Sequence, residues 1–495
     1  MHFYRSLLIL CFFMAHASGQ SQAQPDAKLT NESLYRPRFH FTPKQGWMND
    51  PNGMIYLNGQ YHLFFQHYPD GTVWGPMHWG HATSSDLVQW KEQPIALYPD
   101  SIGMIFSGSA VLDKNNTSGL GRGGIAPLVA IFTQHYMPGE KAGRTDFQNQ
   151  SIAYSLDKGK TWTKYTGNPV LKTPNIKDFR DPKVIWHAPT QKWIMNLAVA
   201  DHVEFYSSPN LINWTKESDI GKNLFAHGGV WECPDLLHFN LNGKTIWVLL
   251  VSMNPGGPNG GSATQYIVGD FDGHTFKPYS TDIKWMDYGP DNYAGVTFSN
   301  VGDRNILIGW MSNWNYANVV PTEKWRSAMT VPRELELVQQ NKNANATDFL
   351  LVSNPVKELK NAFTEIMSNE NVIPNRIDIN DTKTTDFEII LSNTYNEKLI
   401  VGYHAAEKQF YIDRIKAGVS NFNKGFATIA VAPRLSYAMN MDLSILLDKT
   451  SIEFFADGGR TVMTALFFST FPYTKWEITS KEKMPSSSIK LYSKK

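Results

Sequence analysis

The chain has 495 residues and a formal net charge of +1, so it offers no large positive surface that would hold a nucleic acid backbone. Hydrophobic residues make up 42% of the chain, a fraction typical of globular proteins and unlike that of disordered or fibrous ones. The length allows two or more domains, and aromatic residues at 13%, placed among many Gly and Pro residues, favour a β-rich fold with stacking surfaces.

The first segment has the pattern of a secretory signal peptide. Arg5 precedes an apolar run at 7–15, and small residues follow at 17–19. This run is much shorter than the roughly 20 apolar residues that cross a bilayer. We therefore expect residues 1–24 to be a signal peptide and mature lead, the product to be secreted (extracellular or periplasmic), and no segment to span a membrane. Cys11 leaves with the signal, and Cys233 is expected to be a small packing residue.

From about residue 42 to 332, short apolar and aromatic runs alternate with turns rich in Gly, Pro, Asn and Asp. Three stretches begin at a carboxylate and close, after a similar interval, on an aromatic residue: Asp50 to Trp90, Asp181 to Trp214, and Glu232 to Phe276. A further closing segment ends at Trp162 without such a carboxylate. This loose repeat predicts a five-bladed β-propeller over residues 25–340. A large β-sandwich is the competing architecture, but it does not predict the repeated closing segment.

The second half of the chain begins with a polar segment. Residues 341–347 (NKNANAT) indicate a linker between domains, which we place at 341–355. Alternating apolar runs follow, with a hairpin turn at Asp457, and predict a C-terminal β-sandwich over 356–495. The predicted fold class is therefore all-β, a five-bladed β-propeller followed by a β-sandwich.

The three carboxylates are expected to converge in space. In a propeller the innermost strand of each blade lines the central channel, so residues at the same phase of the repeat meet at one end of it. Gathering like charges is costly. Glycoside hydrolysis uses such a group, because one carboxylate attacks or stabilises the anomeric carbon while a protonated carboxyl gives its proton to the leaving oxygen. The alternative is that the Asp-Pro and Asn-Gly pairs only form turns.

Local sequence suggests a role for each acid. Asp50 has an asparagine on either side, and such neutral donors favour an ionised nucleophile. Asp181 lies close to Arg180 and Lys183, cations that we expect to keep it charged for holding sugar hydroxyls or stabilising positive charge on the ring. Glu232 has apolar neighbours in the sequence, which favour the protonated form that a general acid needs.

Three stretches, 47–53 (WMNDPNG), 179–183 (FRDPK) and 231–235 (WECPD), resemble in this order the signature blocks of glycoside hydrolase family 32. That family contains invertases, inulinases, levanases and related fructosyltransferases, and its fold is a five-bladed propeller with a C-terminal sandwich. The resemblance covers nearly the whole mature chain. It implies that Asp50 is the nucleophile, Glu232 the acid/base and Asp181 the stabiliser of the transition state.

The resemblance also implies a pocket for a terminal fructose. Its expected lining residues are Asn49, Gln66, Trp74, Phe106, Ser107 and Arg180. Tyr293 lies in a further matching stretch. Trp310 and Trp314 are candidate stacking walls, for which packing in the last blade is the alternative. No cofactor and no metal are implied, and the sequence has neither zinc-type His/Cys spacing nor a calcium-loop pattern.

These observations predict a secreted retaining β-fructosidase. It would hydrolyse terminal β-D-fructofuranosyl residues of a fructan (levan or inulin) or of sucrose by double displacement, and a carbohydrate is the expected partner. A fructosyltransferase and an endo-acting fructanase remain alternatives within the enzymes. From another class of protein, an inactive sugar-binding propeller is the remaining alternative.

Overall fold

The structure is a computed structural model that describes residues 30–343, 346–367, 372–482 and 484–495. The predicted signal peptide and mature lead, residues 1–24, lie outside this part. Its helical segments are short: α1 (Asn31–Tyr35), α2 (Met137–Lys141) and two 3₁₀ helices, Lys357–Ala362 and Ser486–Ser488. In the described ranges, no helix has the length and apolar character that crossing a bilayer requires. Almost all regular structure is β, as predicted.

In each of the first four sheets, strands that follow one another in the chain lie side by side and antiparallel. The first contains β1 (Gly46–Leu57), β2 (Gln60–Tyr68), β3 (His78–Ser84) and β4 (Lys91–Leu97). The second contains β5 (Met104–Leu112), β6 (Leu128–His135), β7 (Gln148–Ser155) and β8 (Thr163–Lys164). The third contains β9 (Phe179–His187), β10 (Lys192–Val199), β11 (His202–Ser208) and β12 (Thr215–Ile220). The fourth contains β13 (Val230–Leu241), β14 (Lys244–Asn254), β15 (Ala263–Phe271) and β16 (Phe276–Pro278).

The fifth sheet closes the ring. It contains β17 (Tyr293–Thr297), β18 (Ile306–Met311), β20 (Ala328–Met329), β21 (Arg333–Asn343) and β22 (Ala346–Pro355), whereas β19 (Trp325–Arg326) pairs in parallel with β1 of the first sheet. The innermost strands contact one another in a cycle: β1 with β5, β5 with β9, β9 with β13, β13 with β17, and β17 with β1. The N-terminal domain is therefore a β-propeller, as predicted from the repeat.

The polar segment at 341–347 does not join two domains. Residues 341–343 and 346–347 lie in the strands β21 and β22, which pair from Arg333 opposite Pro355 to Asn343 opposite Ala346. The linker prediction for 341–355 is therefore wrong, because this polar sequence belongs to paired strands of the fifth sheet. The chain passes to the second domain through Val356 and the 3₁₀ helix Lys357–Ala362.

The C-terminal domain is a sandwich of two sheets. Its strands are β23 (Phe363–Ile366), β24 (Arg376–Lys383), β25 (Phe387–Ser392), β26 (Lys398–His404), β27 (Gln409–Asp413), β28 (Ile429–Pro433), β29 (Asn440–Leu447), β30 (Ser451–Ala456), β31 (Thr461–Leu466), β32 (Lys475–Ser480) and β33 (Ile489–Lys494). One sheet has the order β23-β33-β24-β29-β30-β31 and the other β28-β27-β26-β25-β32. Their inner faces share one apolar core, in which Phe410 and Phe454 pack with ring centroids 5.0 Å apart. β31 lies at an edge of the larger sheet.

Candidate active site

Each of the five innermost strands carries a β-bulge at the same level of the channel. At every bulge two residues face one residue of the neighbouring strand, and the bulged pairs are 49–50, 106–107, 181–182, 233–234 and 294–295. The backbone angle φ is positive at Asp181 (64°), Cys233 (46°) and Ala294 (53°), a conformation that costs energy for residues other than glycine. Bulges re-aim the side chains around them, and here they bring polar groups to one end of the channel.

The three carboxylates Asp50, Asp181 and Glu232 line one cavity of about 220 Å³. All six residues expected to form the fructose pocket line it as well: Asn49, Gln66, Trp74, Phe106, Ser107 and Arg180. Trp314, a candidate stacking wall, lines it too, and four further lining residues were not anticipated from the sequence: His135, Glu140, Gln148 and Asp178. The arrangement therefore combines three acids, one arginine and an aromatic wall in a space the size of a sugar ring.

Asp50 accepts hydrogen bonds from uncharged donors. Asn49 Nδ2 donates to Oδ1 at 2.9 Å, while Ser107 Oγ donates to Oδ2 at 2.8 Å and the Cys233 thiol lies 3.6 Å from Oδ2. Burial raises the pKa of Asp50, the charge of Glu232 raises it further, and the three donors oppose both effects. The carboxylate is thus held in a place where its negative charge is costly and where positive charge on a bound ligand would be stabilised.

Asp181 is held by backbone and side-chain groups of neighbouring blades. The backbone N–H of Cys233 donates to its Oδ2 at 3.0 Å, and its own N–H donates to Thr133 Oγ1 at 3.0 Å. Burial raises the pKa of Asp181 to about 7, although Arg180 opposes the shift. The expectation that Lys183 keeps this acid charged is wrong. Farther along β9, Lys183 Nζ donates instead to Asp235 Oδ2 at 3.0 Å.

Glu232 lies in polar surroundings. Arg180 donates to its Oε1 from Nε at 3.1 Å and from Nη2 at 3.0 Å, and the Tyr293 hydroxyl donates to Oε2. Arg180 is itself fixed by Asp178, whose Oδ1 accepts from Nη1 at 2.6 Å. The apolar environment expected from the sequence is wrong, because neighbours along a strand point to opposite faces. Trp231, next to Glu232 in the chain, is fully buried away from the cavity.

Cys233 packs in the hydrophobic core, as predicted, and it also lies between two of the acids. Its thiol lies 3.6 Å from Asp50 Oδ2 and 3.5 Å from Asp181 Oδ2, between the two carboxylates. Burial raises the pKa of the thiol well above its usual value, and the surrounding acids add to the shift, so the group stays neutral and acts as a weak donor. The sequence signal was Pro234 directly after it, since proline inside a strand marks a bulge.

Neither Tyr293 nor Trp310 lines the cavity. Tyr293 is 1% exposed and reaches Glu232 from behind the cavity wall. Trp310 is completely buried and packs against Trp47 and Trp314, with centroid distances of 6.2 Å and 4.8 Å. Trp310 is therefore a packing residue, which was the alternative to a stacking wall. Trp314 supplies the aromatic surface at this wall of the cavity.

The cavity rim contains a polar group that sequence reasoning missed. His135 stacks on Phe106 with a centroid distance of 4.4 Å, and its Nε2 lies 3.0 Å from Oε2 of Glu140 on the short helix α2. Gln148 Nε2 lies 3.2 Å from Nδ1 of the same imidazole. His135 ends β6, Gln148 begins β7, and Glu140 lies in α2 between them, where no sequence periodicity marks a site.

One group of potential metal ligands occurs within the described residues. His202, Glu204 and Asp219 offer ligand atoms within 4.8 Å of one another. The ammonium group of Lys216 contacts Glu204 and lies 3.8 Å from Asp219 Oδ2, so a cation is already present there. None of these residues lines the cavity with the three carboxylates.

Comparison with known proteins gives matches over the whole described structure. Residues 40–347 match the model of the glycosyl hydrolases family 32 N-terminal domain, and residues 335–493 match that of the family 32 C-terminal domain. A levanase of Bacillus subtilis (strain 168) is 44% identical over 487 residues, covering 93% of this chain and 69% of that protein. An extracellular exo-inulinase of Aspergillus niger is 41% identical over 483 residues, covering 88% of this chain and 89% of that protein.

Solved structures agree with these matches. An exo-inulinase from Aspergillus awamori superposes with a TM-score of 0.84 at 36% identity, covering 94% of this chain and 99% of that one. A fructofuranosidase from Schwanniomyces occidentalis complexed with fructose superposes with a TM-score of 0.82 at 34% identity, covering 94% of this chain and 98% of that one.

Proposed function

Since the chain belongs to glycosyl hydrolase family 32 and is a glycosidase, we propose that it is a secreted, exo-acting β-fructosidase that cleaves terminal β-D-fructofuranosyl residues with retention of configuration. Levanase and exo-inulinase relatives match nearly the whole chain, so hydrolysis of fructans or sucrose is the activity best supported. We propose levan or inulin as the main substrate, with sucrose as a smaller one.

One observation carries this proposal: Asp50 and Glu232 line the same cavity but have different partners. Asp50 accepts hydrogen bonds from uncharged groups and is free of ion pairing with Arg180, which suits a nucleophile. Glu232 is held at both oxygens by Arg180 and Tyr293. A carboxyl in a fixed position with a neighbouring hydroxyl can give up and take back one proton repeatedly, as a general acid and base must.

The reaction would proceed in two balanced steps. Asp50 attacks the anomeric carbon C2 of the terminal fructosyl unit, while Glu232 gives its proton to the glycosidic oxygen that leaves with the rest of the chain. Glu232, now ionised, removes a proton from water, whose oxygen attacks C2 and breaks the ester bond to Asp50. Fructose is released, and both carboxyl groups return to their initial states. Asp181 would hold sugar hydroxyls and stabilise positive charge on the ring.

The size of the cavity and an unused donor support exo action. A volume of about 220 Å³ is below the roughly 300 to 1,000 Å³ of sites for drug-sized ligands, so it suits one sugar unit. Gln66 is buried at this cavity, and its Nε2 has no hydrogen-bond partner among the described residues. A hydroxyl of a terminal fructosyl unit would satisfy that donor.

The first test is product analysis after short incubations with levan, inulin and sucrose. We expect fructose as the single early product from the polymers. Short oligomers released first would overturn exo action, and products longer than the substrate would favour the fructosyltransferase alternative. No product from any substrate would favour the inactive sugar-binding propeller.

Variants separate the two steps. Glu232→Gln should lower kcat on natural linkages by on the order of 10²–10⁴, because general acid catalysis is lost. Asp50→Asn should abolish a covalent fructosyl-enzyme, which mass spectrometry of quenched wild-type protein would detect. Retention requires that the β-anomer of fructose appears first in a rapid NMR assay, whereas the α-anomer would contradict double displacement.

Secretion is part of the same proposal. Its support is the N-terminal pattern of Arg5 and the apolar run 7–15, together with relatives that are described as extracellular. N-terminal sequencing of protein recovered outside the cytoplasm should begin after residue 17 or 19. Activity that stays in the cytoplasm with an intact Met1 would contradict this part.

A further inference from the structure

The segment 287–292, which leads into the innermost strand β17 of the propeller, is attached along the edge of the sandwich. Four of its hydrogen bonds with β31 have a backbone N–H as donor: Tyr288 N to Val462 O at 2.8 Å, Asp291 N to Thr464 O at 3.1 Å, Thr464 N to Asp287 Oδ1 at 2.9 Å, and Leu466 N to Asp291 Oδ2 at 2.8 Å. An edge strand of a sheet presents unpaired backbone groups. Here they are satisfied by the propeller.

The contact is too close to allow sliding. A side chain at Gly289 would place its Cβ 2.1 Å from both the backbone N and the backbone O of Thr464. Atoms at that distance would overlap, so the segment lies directly against β31. Propeller and sandwich therefore share backbone contacts at this point as well as side-chain contacts.

A buried ion pair from the sandwich anchors the end of the segment. Arg414, which follows β27, donates from Nη1 to Asp291 Oδ2 at 2.6 Å, and both side chains are at most 2% exposed. Tyr316 donates to the other oxygen of Asp291 at 2.6 Å. Removing one partner of a buried ion pair leaves an uncompensated charge, so the geometry of Asp291 depends on Arg414.

The anchored segment ends next to the proposed acid. Tyr293 follows Asp291 by two residues, is almost completely buried, and donates its hydroxyl hydrogen bond to Glu232 Oε2. Ala294 is fixed on the other side by its N–H, which donates to Ser252 Oγ at 3.1 Å. A short chain of fixed contacts thus runs from the sandwich to the acid: Arg414, Asp291, Tyr293, Glu232.

We propose that Arg414, a residue of the sandwich, is a positioning residue for the hydrolysis reaction, because through Asp291 it holds the Tyr293 hydroxyl on Glu232. The sandwich then takes part in orienting the acid, in addition to packing against the propeller. This inference rests on the proposed role of Glu232. Hydrogen bonds donated to a carboxylate favour its ionised form, so displacing Tyr293 should move the pH profile of the reaction to higher pH.

The sandwich offers a matched control. Arg434 donates from Nε to Asp457 Oδ2 at 2.7 Å, and these side chains are 6% and 5% exposed. This pair has no contact with the segment 287–292 among the described residues. Arg414→Met and Arg434→Met therefore each break one buried ion pair of the same domain, but only the first lies on the path to Glu232.

The experiment compares the pH dependence of kcat/KM on inulin for the full-length wild type, Arg414→Met, Arg414→Lys and Arg434→Met. We expect Arg414→Met to move the basic limb of this pH profile to higher pH by about half a unit or more. It should also lower kcat by roughly tenfold, with KM nearly unchanged. Arg414→Lys should recover part of both effects. Arg434→Met should lower the thermal midpoint without moving the limb.

A double variant adds a stricter test. Arg414→Met placed on Tyr293→Phe should give no further shift of the basic limb, because both changes act on one hydrogen bond. If Arg414→Met does not fold, Asp291→Asn decides the question, since it keeps the side-chain volume and removes the charge with which Arg414 pairs. A basic limb identical to that of the wild type in the folded variants overturns the inference. A wild type that releases no fructose refutes the proposed function instead.

Discussion

The hydroxyl group of Tyr293 donates a hydrogen bond to Oε2 of Glu232, from a position behind the wall of the cavity. Arg180 occupies the other oxygen with two N–H groups. The carboxyl is therefore fixed at both ends by residues of the third and fifth blades. Such pre-positioning favours proton transfer, because no reorientation of the acid is needed when the substrate arrives.

We expect Tyr293→Phe to lower kcat/KM by roughly 10-fold to 100-fold, since hydrogen bonds to charged groups contribute about 1.5–3 kcal/mol. The phenyl ring keeps the packing against Trp310, so the fold should be retained. Steady-state kinetics on inulin across pH measures the effect. The basic limb should move upward, because the carboxylate loses a donor.

Tyr266→Phe is the control for this change. Tyr266 is also buried, and its hydroxyl accepts a hydrogen bond from Leu351 N at 3.2 Å, away from the cavity. Loss of the Tyr266 hydroxyl should affect the stability of the protein and leave the pH profile of kcat/KM unchanged. Equal profiles for Tyr293→Phe and Tyr266→Phe would refute a functional role for the Tyr293 hydroxyl.

The sequence predicted the convergence of Asp50, Asp181 and Glu232 because equal phase in a closed repeat requires it. It did not predict where their neighbours point, since each acid lies at or beside a bulge. A bulge breaks the simple alternation of faces along a strand. For this reason the sequence pairs Lys183 with the wrong acid, and it does not show that Cys233, a packing residue as predicted, also lies between two carboxylates.

Two further differences have other physical causes. The segment 341–347 has the polar composition of a linker, and composition alone does not distinguish a linker from the paired strands found at 341–343 and 346–347. Trp310 and Trp314 are close in the chain, but only tertiary packing decides which ring faces the cavity: Trp314 lines it and Trp310 is buried behind. The rim residues Glu140 and His135 depend on the length of one loop and had no sequence signal.

Asp181→Asn should increase stability while it removes activity. Burial raises the pKa of Asp181 to about 7 from its ordinary value of 3.8, so between these values the folded state binds more protons than the unfolded one. Stability therefore falls as pH rises through this range, and an asparagine, which does not ionise, avoids that loss. We expect the thermal midpoint of the variant to exceed that of the wild type at about pH 8 and to approach it at about pH 4.

Activity of the same variant should fall by on the order of 10²–10³, as is usual when a group that stabilises developing charge is removed. Asp146→Asn is the control, because Asp146 pairs with Arg144 in an exposed position. Asp146→Asn should change neither the thermal midpoint nor the activity appreciably. A constant difference in midpoint between Asp181→Asn and wild type at both pH values would contradict the assigned cause.

Cys233 should resist alkylation in the native protein. It is buried, and burial raises the pKa of its thiol, so little of the reactive thiolate forms. Treatment with iodoacetamide should leave activity unchanged and the peptide that contains Cys233 unmodified by mass spectrometry. After unfolding in denaturant the same peptide should be fully modified. Rapid alkylation of the native protein with loss of activity would mean that the thiol is open to solvent.

The last prediction concerns His40, which links the N-terminal segment to the sandwich. Its Nδ1 lies 2.8 Å from Asp448 Oδ2 and its Nε2 lies 2.7 Å from Glu453 Oε1, and all three side chains are fully buried. Burial by itself lowers the pKa of His40, but the two hydrogen-bonded carboxylates raise it to about 9. The imidazolium therefore stabilises the folded state.

The sign of the pH effect follows from this shift. The pKa of His40 in the folded protein, about 9, lies above its ordinary value of 6.5. The contribution of the imidazolium to stability is therefore complete below pH 6.5 and is lost as pH rises through 9. Its size is on the order of 3 kcal/mol, from about 1.4 kcal/mol for each pH unit. We expect the thermal midpoint of the wild type to fall between about pH 7 and 10, and that of His40→Gln to start lower and fall less steeply. His404→Gln, at an exposed histidine that stacks on Tyr411, should follow the wild type. If the thermal midpoints of His40→Gln and wild type changed with pH in parallel, the buried ion pairs of His40 would not be the cause of this pH dependence.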